Sequence, residues 1–370
     1  MRRLLLSEEK SIRVLGRTTN NRDPLTLFWT GSGIEMNVTG TELVLEMTAG
    51  FDNYEPWIEI IIDGSLSQRR MLDRGEQKVC VFRAMDKGPV RHVKILKSTQ
   101  APSQDDASFL QINAIWTDGE FIPLDPPARR IEVIGDSLTS GEAMNGATTE
   151  NSWNASVFGV FGSYHYLLGE AMRADVHVIS QSGYGVYCGW CGDTRESVPQ
   201  YYEQVCGPLK GEKNEALGAL GKWDFSSWQP DAILINLGTN DSGSFGQAGN
   251  YIADRDWRCP MRVNPDGSMN EEDRQSVLSA AIDFLFMLRR NNPESYLLWC
   301  IGMLPVRLED TLREAVQTYA RRTGDEKAEF VLLPRTEEGE FGARRHPGPA
   351  SHRKTAAALE EKLRSLFGAE

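Results

Sequence analysis

The stretch Arg130-Ile-Glu-Val-Ile-Gly135-Asp136-Ser137-Leu138-Thr-Ser-Gly141 decides the fold. Its β-branched run, Ile131, Val133 and Ile134, reads as a strand buried on both faces, as in a parallel sheet. The run stops at Gly135-Asp136-Ser137-Leu138, and the carboxyl end of a parallel strand is where such sheets present reactive groups. Ser137 is therefore the candidate nucleophile. The bland reading of the same residues is a helix N-cap, a position that Asp and Ser both favour. The two readings are compatible, because a helix amino terminus also aims backbone N–H groups at an anion. Asp136 is read as structural, since neighbouring residues on an extended chain point to opposite faces.

A serine hydroxyl is nearly inert at neutral pH and needs a base for its proton and fixed donors for the oxyanion that forms next. Ala232-Ile-Leu-Ile-Asn-Leu-Gly238-Thr239-Asn240-Asp241 is a second buried strand ending in a polar turn, and Asn240 offers an amide donor. Its bland reading is an Asx-turn, with Asp241 capping the next helix. His346-Pro347 precedes the last helical stretch and offers an imidazole from a loop. These residues are far apart in sequence, so only a fold can assemble them.

Gly135-Asp136-Ser137-Leu138, Ser180-Gln-Ser-Gly183-Tyr-Gly185-Val186, Gly238-Thr239-Asn240-Asp241 and His346-Pro347, in that order, resemble the blocks of the SGNH (GDSL-type) hydrolase superfamily. The α/β-hydrolase alternative lacks its Gly-x-Ser-x-Gly elbow. The resemblance implies an oxyanion hole made by the Ser137 N–H, a glycine N–H and the Asn240 amide. Counting along the strand favours Gly185 as the glycine donor, with Gly183 as the alternative and a plain tight turn as the bland reading. Of the other histidines, His165 falls in an expected helix, His177 in a strand, His92 in the amino-terminal β region and His352 on the last helix, leaving His346 as the base.

The chain departs from that superfamily at one point. Most members carry Asp three residues before the histidine, where this chain has Ala343. A backbone carbonyl, Glu338 or Glu340 is left to orient the ring. With an amino-terminal β region, Gly16-Arg17, Trp29-Thr-Gly-Ser-Gly33 and Asp63-Gly64, this looks like the two-domain acetyl esterases of carbohydrate esterase family 2. That resemblance implies removal of O-acetyl groups from xylan- or mannan-type glycans, with no cofactor and no metal. Members often have an aromatic residue just before the histidine, and here it is Arg345. Tyr184, Tyr187, Trp190, Phe245 and Trp257 are candidate sugar platforms, each as apt to pack beneath a loop.

At 370 residues with 40% hydrophobic content, the chain has material for two cores. A net charge of −12 disfavours nucleic acid and anionic membrane surfaces as partners. Neutral, soluble substrates fit better, and the family resemblance makes an acetylated oligosaccharide the expected partner. The start, Met1-Arg2-Arg3-Leu4-Leu5-Leu6, has too short an apolar run for a signal peptide, so a cytoplasmic location is expected. Six scattered cysteines are not a disulfide framework. Cys188-Gly-Trp-Cys191 lacks the second pair of a zinc site and the setting of a redox motif, and reads as free thiols.

Residues 1–120 are expected to form an all-β sandwich of jelly-roll type. Its strands are expected at 11–15, 25–30, 34–38, 42–47, 57–62, 78–83, 90–96 and 110–116, with Asp63-Gly64 and Lys87-Gly88-Pro89 as turns. Residues 121–129, rich in proline, read as a connector. Residues 130–370 alternate strand and helix and are expected to form a three-layer α/β/α domain on a flavodoxin-like parallel sheet. Strands are expected at 130–135, 175–180, 231–237, 295–302 and 328–333, and helices near 161–173, 195–206, 271–291, 307–322 and 350–367. Two other functions remain open: a short-chain acyl esterase or lysophospholipase of GDSL type, and a glycan-binding protein on a silent esterase scaffold.

Overall fold

The computed structural model describes residues 1–368. Its centre is a five-stranded parallel sheet in which Arg129–Gly135 lies between Ala174–Ser180 and Ala232–Asn236, followed outward by Tyr296–Ile301 and Ala328–Leu332. Alternate side chains leave the strands on opposite faces. Ile134, Ile233, Ile235, Leu297 and Trp299 pack on the helices Glu271–Asn291 and Glu309–Thr323. Ile131, Val133, Leu234 and Leu298 pack on Tyr164–Ala171 and Pro349–Phe367. Each such aliphatic, fully buried, contributes about 1.5–3 kcal/mol. The strand order reverses between Arg129–Gly135 and Ala232–Asn236, and the crevice beyond their carboxyl ends is where ligands sit in open α/β sheets.

The amino-terminal half is two facing antiparallel sheets. One joins Arg2–Leu4, Phe109–Thr117, Leu43–Gly50 and Gly75–Phe82, with Leu25–Thr26 at its side. The other joins Phe121–Ile122, Gly33–Val38, Arg91–Lys97, Trp57–Ile62 and Ser65–Met71, with Arg13–Leu15 at its side. Leu45, Met47, Ile58, Ile60, Val93, Ile95 and Ile112 fill the space between them.

The two halves share buried contacts. Arg17, fully buried, lies 2.9 Å from Glu132 on the first parallel strand and also donates to the carbonyls of Tyr202 and Gln204. Trp29 Nε1 donates to Val205 O at 2.6 Å. Glu59 Oε2 accepts from the N–H groups of Val160 and Phe161 at 3.0 and 2.7 Å.

Several expectations differ from these elements. Residues 195–206 form no helix beyond a 3-10 turn at Val198–Gln200. The Val198 N–H is committed to Gly185 O, Pro199 has no N–H, and Arg17 takes carbonyls that a helix would need. Ser65–Met71, a strand at the edge of its sheet, went unexpected because its polar, half-exposed sequence carries no alternation. The expected strand over 25–30 is confined to Leu25–Thr26, and Phe121–Ile122, expected in the connector, pairs with Gly33–Val38.

Candidate active site

Gly135 ends the first parallel strand in a space that admits no side chain. A Cβ there would lie 2.0 Å from Thr139 Oγ1 and 3.1 Å from Asn236 O. Asp136 caps the short helix Ser137–Ser140, its Oδ1 accepting from the Leu138 N–H at 3.0 Å. The cap frees the Ser137 hydroxyl and N–H to face the crevice. Ser137 Oγ lies 3.0 Å from His346 Nε2. On its other side, His346 Nδ1 lies 3.1 Å from Arg344 O. A carbonyl can only accept, so Nδ1 carries the proton and Nε2 presents its lone pair to the serine hydroxyl. That tautomer is the one a general base requires.

A backbone carbonyl therefore orients the ring, and the two glutamates considered from sequence do not. Glu340 pairs with Lys354 at 2.8 Å, and Glu338 is exposed. The carbonyl is turned toward the ring because Arg344 occupies the left-handed region at φ 55°, ψ 23°. Its side chain donates to Glu142 Oε1 at 2.6 Å and to Asn151 O at 3.2 Å, and its N–H donates to Glu150 O at 2.7 Å.

The glycine donor favoured by strand counting is corrected by the geometry. The Gly185 N–H donates to Glu196 O at 3.2 Å, and a Cβ at Gly185 would lie 2.2 Å from Asp241 Oδ2. Gly185 is thus packed behind the loop. Gly183, at φ +82°, lines the crevice with Ser137, and its N–H has no acceptor among the described residues. Asp241, fully buried, accepts from the N–H groups of Val186, Tyr187 and Cys188 at 2.8–3.0 Å and so holds this loop in shape. Asn240 Nδ2 donates to Tyr184 O at 2.9 Å and to Asp136 Oδ2 at 3.2 Å, which fixes the amide beside the serine.

These groups open into a cleft of about 550 Å³. Tyr184 and Trp190 line one side with Glu196 and Arg255, and the Arg255 guanidinium lies 5.4 Å from the Trp190 ring centre. Across the cleft, Tyr54, Gln100, Ser103 and Gln104 come from the amino-terminal half, and Trp153 meets Tyr54 edge-on at 4.6 Å. Lys97 Nζ, itself buried, donates to Thr99 O and Gln100 O at 2.8 and 2.7 Å, and Gln100 Oε1 accepts from the Ser182 N–H at 2.7 Å.

Three of the expected platforms, and Arg345 as a possible substrate-binding residue, lie elsewhere. Trp257 is outside the lining, its Nε1 tied to Cys191 O at 3.0 Å. Phe245 is a core residue, and Tyr187 lines a separate surface depression. Arg345 is exposed and points at Phe341, leaving Arg344 as the arginine in the cleft. Trp153, Tyr54 and Arg255 carry no sequence signal, because each reaches the cleft from a segment without a motif, and Glu142 follows the Ser137 block at a position that the block does not single out. Cys188 and Cys191 are free thiols, and among the described residues no cluster of His, Cys, Asp and Glu is arranged to hold a metal ion. No helix among them is long and apolar enough to cross a membrane.

A family profile described as "Carbohydrate esterase 2 N-terminal" matches residues 14–124. The solved structure of an acetyl xylan esterase (Est2A) from the rumen bacterium Butyrivibrio proteoclasticus is 40% identical, with a TM-score of 0.96 over 100% of both chains. An "acetylxylan esterase / glucomannan deacetylase" of Cellvibrio japonicus is 31% identical over 64% of this chain and 63% of its own length. "Cellulase/esterase CelE" of Acetivibrio thermocellus is 26% identical over 92% of this chain and 37% of its own length. The chain thus spans less than two thirds of the length of either curated relative.

Proposed function

Because the chain belongs to carbohydrate esterase family 2, we propose that it is a serine esterase that removes O-acetyl groups from neutral plant-type oligosaccharides of the xylan or mannan kind. The observation that carries this reading is the Ser137 Oγ to His346 Nε2 distance of 3.0 Å, with Nδ1 fixed by the Arg344 carbonyl. His346 takes the hydroxyl proton as Ser137 attacks the acetyl carbonyl; the Ser137 N–H and the Gly183 N–H hold the oxyanion, joined by Asn240 Nδ2 as it exchanges its longer 3.2 Å bond to Asp136 Oδ2 for one to the oxyanion. His346 then protonates the departing sugar oxygen as its bond to the acetyl carbon breaks, which releases the sugar as an alcohol and leaves the acetyl group on Ser137. Water, deprotonated by the same ring, releases acetate and regenerates the serine. The cleft suits a sugar, with Trp190 and Trp153 as apolar faces and Gln100 and Ser103 as hydrogen-bonding groups.

The test is acetate release from acetylated xylo- and manno-oligosaccharides by the wild-type chain and Ser137→Ala. Release should be lost in the variant, and acetyl esters should be hydrolysed in preference to long-chain nitrophenyl esters. Equal release by both proteins removes Ser137 from the chemistry, and a long-chain preference supports the lysophospholipase reading instead.

A further inference from the structure

Glu142 is a cleft carboxylate that the proton relay does not use. It is 1% exposed, and burying an ionised carboxylate is costly unless it is paired and hydrogen-bonded. Both of its oxygens are engaged. Oε1 lies 2.6 Å from Arg344 Nε, and Oε2 accepts from Ser182 Oγ at 2.8 Å. Its own N–H donates to Ser137 O at 3.1 Å. One side chain, rooted in the nucleophile's turn, thereby grips the loop that carries the base and the loop that carries Gly183.

The grip on Arg344 bears on the chemistry. Arg344 O is the acceptor for His346 Nδ1, and a left-handed conformation is strained for a residue with a Cβ. The ion pair to a buried carboxylate opposes that cost and keeps the carbonyl turned to the ring. Oε1 also lies 3.9 Å from His346 Nε2, the nitrogen that gains a proton when Ser137 attacks.

We propose that Glu142 is a positioning residue for the base, doing through Arg344 what a carboxylate on the ring nitrogen does in a Ser-His-Asp triad. The inference rests on the esterase reading of Ser137 and His346. The experiment measures p-nitrophenyl acetate hydrolysis by the full chain as Glu142→Gln, Arg344→Met, the double variant, Ser137→Ala and the control Glu338→Gln. Glu142→Gln is expected to lower kcat about 10- to 100-fold, less than the roughly 10²–10⁴ supplied by a general base, with KM little changed. The double variant is no slower than the slower single variant, since both changes break one link, and Glu338→Gln matches wild type.

A raised KM at unchanged kcat makes Glu142 a substrate contact and overturns the proposal. Losses that multiply in the double variant overturn it too. If Glu142→Gln does not fold, Arg344→Met alone decides: a wild-type kcat there rejects the link. Failure of the esterase reading is separate, because then Ser137→Ala hydrolyses the ester as fast as wild type.

Discussion

Asp136 shows how one residue serves both the fold and the chemistry. Burial, reinforced by the charges of Asp241 and Glu142 and opposed by the Leu138 N–H, pushes its carboxyl up to about 7. Between about pH 4 and pH 7 the unfolded chain has lost this proton and the folded chain has kept it. The stability this group contributes is therefore complete below about pH 4 and lost as pH rises through 7. Asp136→Asn should flatten that part of the stability profile, measured by urea unfolding at pH 5 and pH 7. It should also slow catalysis about 10-fold or more, because either orientation of the new amide faces a donor, Leu138 N–H or Asn240 Nδ2. At this scale the sequence carried Ser137, Asn240 and His346, whose chemistry has few alternatives. It could not choose Gly183 over Gly185, because the choice depends on which N–H is already bonded, and Glu196, which takes the Gly185 donor, sits on a separate turn. Nor does a glutamate following a turn glycine announce that it will be buried, so Glu142 was invisible.

Among the elements, those with a strong period were legible and those held by single side chains were not. Glu271–Asn291 has a continuous apolar stripe, an Asn270 cap and acidic residues in its first turn, and its expected and observed limits coincide. Residues 195–206 have apolar positions enough for a helix, yet a buried guanidinium from the other half of the chain claims their carbonyls. The last helix, Pro349–Phe367, depends on the protonation of His352. Its Nδ1 accepts from the Tyr164 N–H at 3.1 Å, so the ring must be neutral there. Burial is the main cause holding its pKa down at about 4, with the backbone at Pro347 opposing and His346 adding. As pH falls from about 6.5 towards 4 the unfolded chain takes up this proton and the folded chain does not, so stability is lost across that window. His352→Asn keeps an acceptor and cannot be protonated, and its melting temperature should vary less between pH 6.5 and 4 than that of wild type.

At the scale of the whole molecule, the two halves have a shared interior. Phe28, Trp29 and Ala101 of the amino-terminal half belong to the same apolar cluster as Ile134 and Ile179 of the parallel sheet. Thermal unfolding should accordingly show one cooperative transition by calorimetry, and two resolved transitions would contradict the shared core. Arg17→Met leaves Glu132 buried with its cationic partner removed and should cost about 3–5 kcal/mol in denaturant unfolding. The division into a β region and an α/β region was readable from the change of period near residue 130, but their union was not, since Arg17, Trp29 and Glu59 reach across from positions that carry no local signal. That union has a consequence for how such an enzyme can diversify. The segment from Thr99 to Gln104, moored by Lys97, forms part of the rim while lying far along the chain from every group that handles a proton. On the proposed esterase reading, exchanging this short segment between relatives is thus expected to retune which acetylated glycan is accepted while the reaction itself proceeds unaltered.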